Sequence, residues 1–269
     1  MPPNPTADAL LSAVLASPRA VAAHDKSAWV GLFAGDAEVN DPVGSRPHTG
    51  PAAIARFYDT FIAPNDIAFD VARDVVGGRT VVRDLFIATT MSTGATVRVP
   101  MHLRYDLAEL DGSWKIVRLA AHWEFTAMVT QLMLRTGLPG LAAAARLGPQ
   151  LVAHQGLSGA AGLLRAVRCV GRPGKHAAAR LFSSMAVGDS AHVRALLGAA
   201  ALRRSTGAEL SIEELTAATR NLRWDKLIAA GRTVSASVTV DGGGGVVFVD
   251  FAARGREIVA VTLFLADDH

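Results

Sequence analysis

The chain has 269 residues, 50% of them hydrophobic and 19% charged, with a formal net charge of +3. At roughly 150 residues per domain this length suits two domains, and so apolar a composition excludes a disordered chain. The single cysteine, Cys169, excludes an intrachain disulfide framework and any multi-cysteine metal site. The leading MPPNPTADAL has no basic stretch running into an apolar one, which predicts no secretory signal and a cytoplasmic protein. The charge is unevenly spread. Residues 1–124 net −3, residues 125–188 hold seven basic residues and no acidic one, and residues 189–269 net −1.

Ala9 to Phe33 has apolar residues near the helical period, with an interruption expected at Pro18. Glu38-Val39-Asn40 alternates as a short strand and enters the turn Asp41-Pro42-Val43-Gly44. Gly50 to Ile62 reads as a helix with Pro51 in its first turn and a stripe of Ile54, Phe57, Tyr58 and Phe61. Strands are predicted at 67–76, 79–90, 95–107 and 113–125, separated by Gly77-Gly78, Ser92-Thr93-Gly94 and Leu110-Asp111-Gly112. Helices followed by strands specify an α+β unit rather than a parallel βαβ fold.

Residues 126–175 change character. Gly137-Leu138-Pro139-Gly140 breaks the chain, and Leu147 to Leu164 carries no formal charge. That run has about the length of a membrane span, but Pro149, Gln150, His154, Gln155 and Ser158 make it too polar for one. It reads as a connector of short, apolar, basic helices whose arginines neutralise the acidic flanks, with weak membrane-surface contact as the alternative. The absence of Phe, Tyr and Trp from 126–175 argues against nucleic acid as a partner.

Beyond the connector, Lys175 to Leu197 and residues 211–217 read as helices, and 232–240, 246–252 and 256–265 as strands. The ending ARGREIVAVTLFL parallels LDGSWKIVRLAAHW of the first segment, so the second half is expected to be a copy of the first unit. The boundaries are then 1–125 for the first unit, 126–175 for the connector and 176–269 for the copy. The copy carries Ala201 to Ser205 where the first unit has Asp41, and Phe264-Leu265 where it has His122-Trp123; it is read as degenerate. Gly242 to Gly245 join two strands and lack a following Lys-Ser/Thr, so they form a hairpin rather than a phosphate loop. Neither a Gly-x-Ser-x-Gly elbow nor a His-x-x-x-His pair occurs, and neither a cofactor nor a metal is expected.

Two phrases, NDPVGSRPHTGPAAIARFY (residues 40–58) and RYDLAELDGSWKIVRLAAHW (residues 104–123), resemble the delta-5-3-ketosteroid isomerases within the SnoaL-like, nuclear-transport-factor-2-like superfamily. The resemblance spans roughly residues 8–125. It implies a cone of helices on a curved, mostly antiparallel sheet around an apolar pocket, and hence two such units joined by the connector. By position it gives Asp41 the role of proton-transferring base, Tyr58 that of the supporting tyrosine and Trp123 that of a pocket wall. The family's oxyanion-hole tyrosine falls at Ser17, its second network tyrosine at Phe33 and its protonated aspartate at Met101. Losing one such donor typically costs ~10²–10³ in rate.

The candidate catalytic residues are therefore Asp41, Tyr58 and His102, the last because a register slip beside Met101 turns it inward. Phe33, Phe57, Met101, Leu119, Trp123 and His122 are the candidate ligand contacts, and His48 lies in the loop after Asp41. The resemblance implies a cofactor-independent isomerase or cyclase acting on a hydrophobic polycyclic ketone of steroid, terpenoid or polyketide type. The alternatives are a non-catalytic binder of such a ligand and a membrane-surface or scaffold protein working through 126–175. Pairing of units within one chain makes a pseudo-dimer, with a homodimer of chains as a further option.

Overall fold

A computed structural model describes residues 6–92, 94–135 and 169–266. Most of the expected connector, residues 136–168, lies outside the described residues, and so does its helical reading. Among the described residues no helix is long and apolar enough to cross a membrane.

Helix α1 (Ala7–Ala22) starts at Thr6, whose side chain accepts from the Ala9 amide. It does not break at Pro18. A proline costs a helix one backbone hydrogen bond, and burial of Leu10, Val14 and Val21 on both sides of it offsets that loss. The chain turns instead at His24, which has positive φ, and Asp25 caps α2 (Lys26–Gly31) by accepting from Ala28 N at 2.9 Å.

Strand β1 (Phe33–Asn40) is longer than its sequence pattern suggests and is followed by β2 (His48–Thr49) and α3 (Pro51–Phe57). The helix widens at its end into one π turn, Tyr58–Ile62. Then come β3 (Asn65–Gly77), β4 (Thr80–Met91), β5 (Thr96–Leu110) and β6 (Ser113–His122), all within a few residues of expectation, and α4 (Phe125–Arg135). The sheet order is β2-β1-β6-β5-β4-β3, with β1 parallel to β6 and the other pairs antiparallel.

The second half runs α5 (Gly171–Val187), α6 (Ser190–Leu197), β7 (Ala201–Arg204), α7 (Ile212–Ala218), then β8 (Arg223–Ala230), β9 (Thr233–Val240), β10 (Gly243–Phe251) and β11 (Ile258–Leu265). The helix expected over 175–197 is split by Gly188 with positive φ and by Asp189, which caps α6. The sheet order is β7-β11-β10-β9-β8, with β7 parallel to β11 and the rest antiparallel. The first strand thus runs parallel to the last in both sheets.

Each sheet has one face under its own helices. Leu10, Val14, Trp29, Ile54 and Phe57 meet Val81, Leu85, Met101 and Leu119 in the first half. Leu181, Phe182, Met185 and Leu215 meet Val234, Ala236, Val247 and Leu263 in the second. The other faces meet each other through Val75, Val82, Val246, Phe248 and Phe264, giving helix, sheet, sheet, helix. A side chain at Gly244 would collide with Arg73, whose Nη1 donates to Val238 O at 3.1 Å across this junction.

Polar groups are buried in the same junction. Lys226 Nζ lies 2.5 Å from Asp84 Oδ1 and 4.5 Å from the Phe86 ring centroid. His102, fully buried, faces Ser235 Oγ through Nδ1 at 2.8 Å and Ser237 Oγ through Nε2 at 3.0 Å. Removing one partner of such an ion pair strands the other charge in the interior. Lys226→Met is therefore expected to destabilise the chain by about 3–5 kcal/mol in chemical denaturation. Burial, outweighing the nearby Asp84 carboxylate, pushes the His102 pKa down to about 4. An unfolded histidine titrates near 6.5, so the unfolded chain binds the extra proton between those values and stability drops as pH falls from about 6.5 to about 4. His102→Gln is expected to flatten that part of the stability–pH curve, with denaturation midpoints as the readout.

Candidate functional site

Asp41 follows the last residue of β1, and Val39, two residues before it, belongs to the helix-covered core. Strand side chains alternate, so Asp41 continues the inward row. Its loop is pinned by Val43 N to Ala121 O at 2.9 Å and by Asn40 Nδ2 to Ser45 O at 3.1 Å. Trp123, just past β6, donates its indole N–H to Asp41 Oδ1 at 2.6 Å. Burial raises the Asp41 pKa to about 6, and the Trp123 hydrogen bond works against that rise.

Tyr58 stands where α3 passes into the π turn, a helical irregularity that often marks a functional position. Its hydroxyl is buried and has no hydrogen-bond partner among the described residues. Burial raises its pKa, and Asp25 and Asp59 add to the effect. The ring packs at 5.6 Å from Trp29, which also lies 4.7 Å from Phe33 and 6.1 Å from Phe57. The Trp29 indole donates to Ser17 Oγ at 3.1 Å. His48 rests 5.1 Å from Phe57, and burial, followed by Arg56 and Arg46, lowers its pKa.

Phe33, Phe57, Met101 and Leu119 all sit in the helix-covered core with Tyr58, and Trp123 packs against it. His102 and His122 do not. Strand β5 keeps its register at this point, with Asp84, His102 and His122 aligned across three strands, and the irregularity comes later, between Asp106 and Leu107. No slip turns His102 inward, and His122 packs 4.9 Å from Phe248 of the second half. Both therefore belong to the sheet–sheet junction, which corrects their assignment as catalytic and ligand-contacting residues. Asp84, His102 and Ser237 do not form a hydrolytic triad either. Such a triad needs the carboxylate and the serine on opposite ring nitrogens, whereas Ser237 and Asp84 both face Nε2, at 3.0 and 3.6 Å.

The sequence reading missed three polar residues on the inner face. Tyr105 is 2% exposed and pairs with Leu119 on one side and Val81 on the other. Burial raises its pKa; Arg83 and a hydrogen bond with Ser17 oppose this, while Asp41 and Asp74 reinforce it. Arg83 pairs with Leu103 in the sheet, and its Nε sits 2.7 Å from Asp74 Oδ1. Its Nη1 is buried without a partner among the described residues. The alternation that turns Met101 inward turns Tyr105 inward too, so this signal was present in the sequence. The Asp74–Arg83 pair required the β3–β4 register, which sequence periodicity does not supply. Among the described residues no group of three or more His, Cys, Asp or Glu could hold a metal ion.

A family model for the SnoaL-like domain matches residues 14–119. Residues 14–119 are a SnoaL-like domain. Solved structures similar to it include a delta 5-3-ketosteroid isomerase from Mycobacterium sp., at 28% identity and TM-score 0.41, covering 44% of this chain and 95% of that one. Another is a Mycobacterium tuberculosis protein in complex with estradiol-17beta-hemisuccinate, at 25% identity and TM-score 0.40, covering 44% of this chain and 95% of that one. The SnoaL-like domain thus contains Asp41, Tyr58, Tyr105 and Arg83, while Trp123 lies just beyond the matched residues.

The Trp123 hydrogen bond favours the ionised form of Asp41. Trp123→Phe removes the donor and keeps an aromatic wall. It is expected to move the Asp41 pKa upward from about 6, as read by carboxyl-carbon NMR titration; a downward shift would contradict the assigned role of the bond.

Proposed function

We propose that the SnoaL-like domain binds a hydrophobic polycyclic ligand of steroid, terpenoid or polyketide type against Phe33, Phe57, Met101, Leu119 and Trp123, and that Asp41 moves a proton next to the ligand's carbonyl group. The observation carrying this reading is a partly buried carboxylate held by one indole donor, with its pKa raised to about 6. A general base works best when its pKa lies near the operating pH. Asp41 meets that condition without a cofactor: as carboxylate it takes the proton from the carbon, and as carboxylic acid it returns it to another.

Binding without turnover is the second reading, and the residues at Ser17 and Met101 favour it, since neither reproduces the family's own oxyanion donors. The second half is best understood as a degenerate copy that pairs with the first as a pseudo-dimer. Support comes from the shared strand order, with its parallel first and last strands, and from an inner face of Val234, Ala236, Val247, Val249 and Leu263 that offers no proton-transfer group. Placement of the units at 1–125 and 176–269 with 126–175 between them belongs to this reading.

The test is isomerisation of a 5-ene-3-ketosteroid by wild type and by Asp41→Asn, together with ligand binding by both. The variant is expected to lose ~10²–10⁴ in rate, the usual contribution of a positioned base, and to keep its affinity. Wild-type rate should climb with pH through about 6 as Asp41 ionises. Equal turnover by the two proteins removes Asp41 as the base. Tight binding with no turnover by wild type favours the second reading.

A further inference from the structure

Four inner-face donors, Trp29, Ser17, Tyr105 and Arg83, remain outside the chemistry assigned to Asp41. An indole N–H can only donate, so in the Trp29–Ser17 hydrogen bond, 3.1 Å long, the serine oxygen is the acceptor. The Ser17 hydroxyl proton is then free to donate, and Ser17 favours the ionised form of the buried Tyr105 phenol. Donors aligned in this way polarise one another. Beside Tyr105 stands Arg83, which spends Nε and Nη2 on Asp74, at 2.7 and 3.4 Å, and keeps Nη1 buried and unpaired among the described residues. A buried donor without an acceptor costs free energy, so a site that retains one is set up for an acceptor brought by something else.

The register places these donors opposite the base. Val39, Leu119, Tyr105 and Val81 form one row across four strands. Asp41 lies two residues beyond Val39, and Arg83 two residues beyond Val81. At about 4.8 Å per strand the two ends stand on the order of 14 Å apart at the backbone. Tyr105 reaches into that span, and the Asp41 charge acts on its phenol.

We propose that Tyr105 and Arg83 Nη1 form a substitute oxyanion site, fed by the Trp29–Ser17 relay, that receives the carbonyl oxygen of an enolisable ketone or lactone. The proposal rests on the proton-transfer reading. When Asp41 takes the proton, the C–H pair becomes the new C=C bond and the carbonyl π pair moves onto oxygen. Tyr105 O–H and Arg83 N–H then donate to that oxygen, and the Asp74–Arg83 pair stays intact. Return of the proton from Asp41 to another carbon restores the carbonyl. Tyr105 and Arg83 touch the substrate oxygen; Ser17 is a positioning residue.

The test uses 4-nitrophenol, whose phenolate mimics the enolate and absorbs differently from the phenol. Titrated against the full chain, the bound probe is expected to ionise at lower pH than the free probe. Tyr105→Phe and Arg83→Lys, which preserve the ring and the Asp74 pair respectively, should each weaken phenolate binding about tenfold to a hundredfold, the range for a hydrogen bond to a charged group. Ser17→Ala should raise the bound probe's pKa, and Ser17→Thr should restore it. Wild-type phenolate affinity in both Tyr105→Phe and Arg83→Lys, with circular dichroism unchanged, overturns the proposal, as does failure of wild type to prefer the phenolate. The two ideas fail separately. Loss of isomerisation in Asp41→Asn with no phenolate preference in wild type sinks only the donor site, whereas phenolate binding that depends on Tyr105 in a protein with no isomerase activity sinks only the base.

Discussion

From Met101 to Leu103 strand β5 is buried on both faces, and the parity of its side chains ties the two halves of the molecule together. Met101, Leu103 and Tyr105 point under the helices, while His102 meets Ser235 and Ser237 and Arg104 lies 5.5 Å from the Phe264 ring centroid. A slip of one residue would exchange the two sets, bringing a histidine and an arginine into the apolar interior and Met, Leu and Tyr into the junction. Both environments are intolerant of the exchange, so each half enforces the register that the other needs.

The same parity separates two buried ion pairs. Asp74–Arg83 lies on the inner face and Asp84–Lys226 in the junction, one residue apart on β4. Buried pairs contribute little net stability, because desolvation offsets their attraction, but breaking one leaves an uncompensated charge. Their effect is on specificity of arrangement. Lys226 reaches Asp84 only when β8 packs against this sheet. Arg83 reaches Asp74 only in the observed β3–β4 pairing, in which the two residues face each other directly.

The four central strands of the first half and its main helices were legible in the sequence, because periodicity and turn residues are local signals, whereas Asp41, Tyr58 and Trp123 were singled out only by the resemblance of residues 40–58 and 104–123 to a family. Pro18 misled, since a local rule about proline lost to burial of the residues around it. The histidines misled for another reason. Alternation shows that Met101 and His102 oppose each other but not that the second face is also covered, and the slip expected to turn His102 inward does not occur in β5. Strands β7 and β8 were not anticipated: β7 has only four residues, and the Asp225–Ile228 stretch of β8 carries a register irregularity with Lys226 at positive φ. Ion pairs such as Asp74–Arg83 depend on register and cannot be read from spacing at all.

The two sheets place their polar side chains differently. In β9 the residues under the helices are Val234, Ala236 and Val238, while Ser235 and Ser237 face outward to occupy both nitrogens of His102. In the first sheet, Tyr105, Arg83 and Asp74 face inward instead. A neutral imidazole needs one donor and one acceptor, and a hydroxyl can act as either, so two serines satisfy His102 without any charge from the second half. Among the described residues the helix-covered core of that half is apolar, and its Lys226 supplies the charge that pairs with Asp84 in the junction. The inner face of the first sheet is left to carry Asp41 and the donors across from it, where the balance between burial and a single indole hydrogen bond sets the carboxyl near 6.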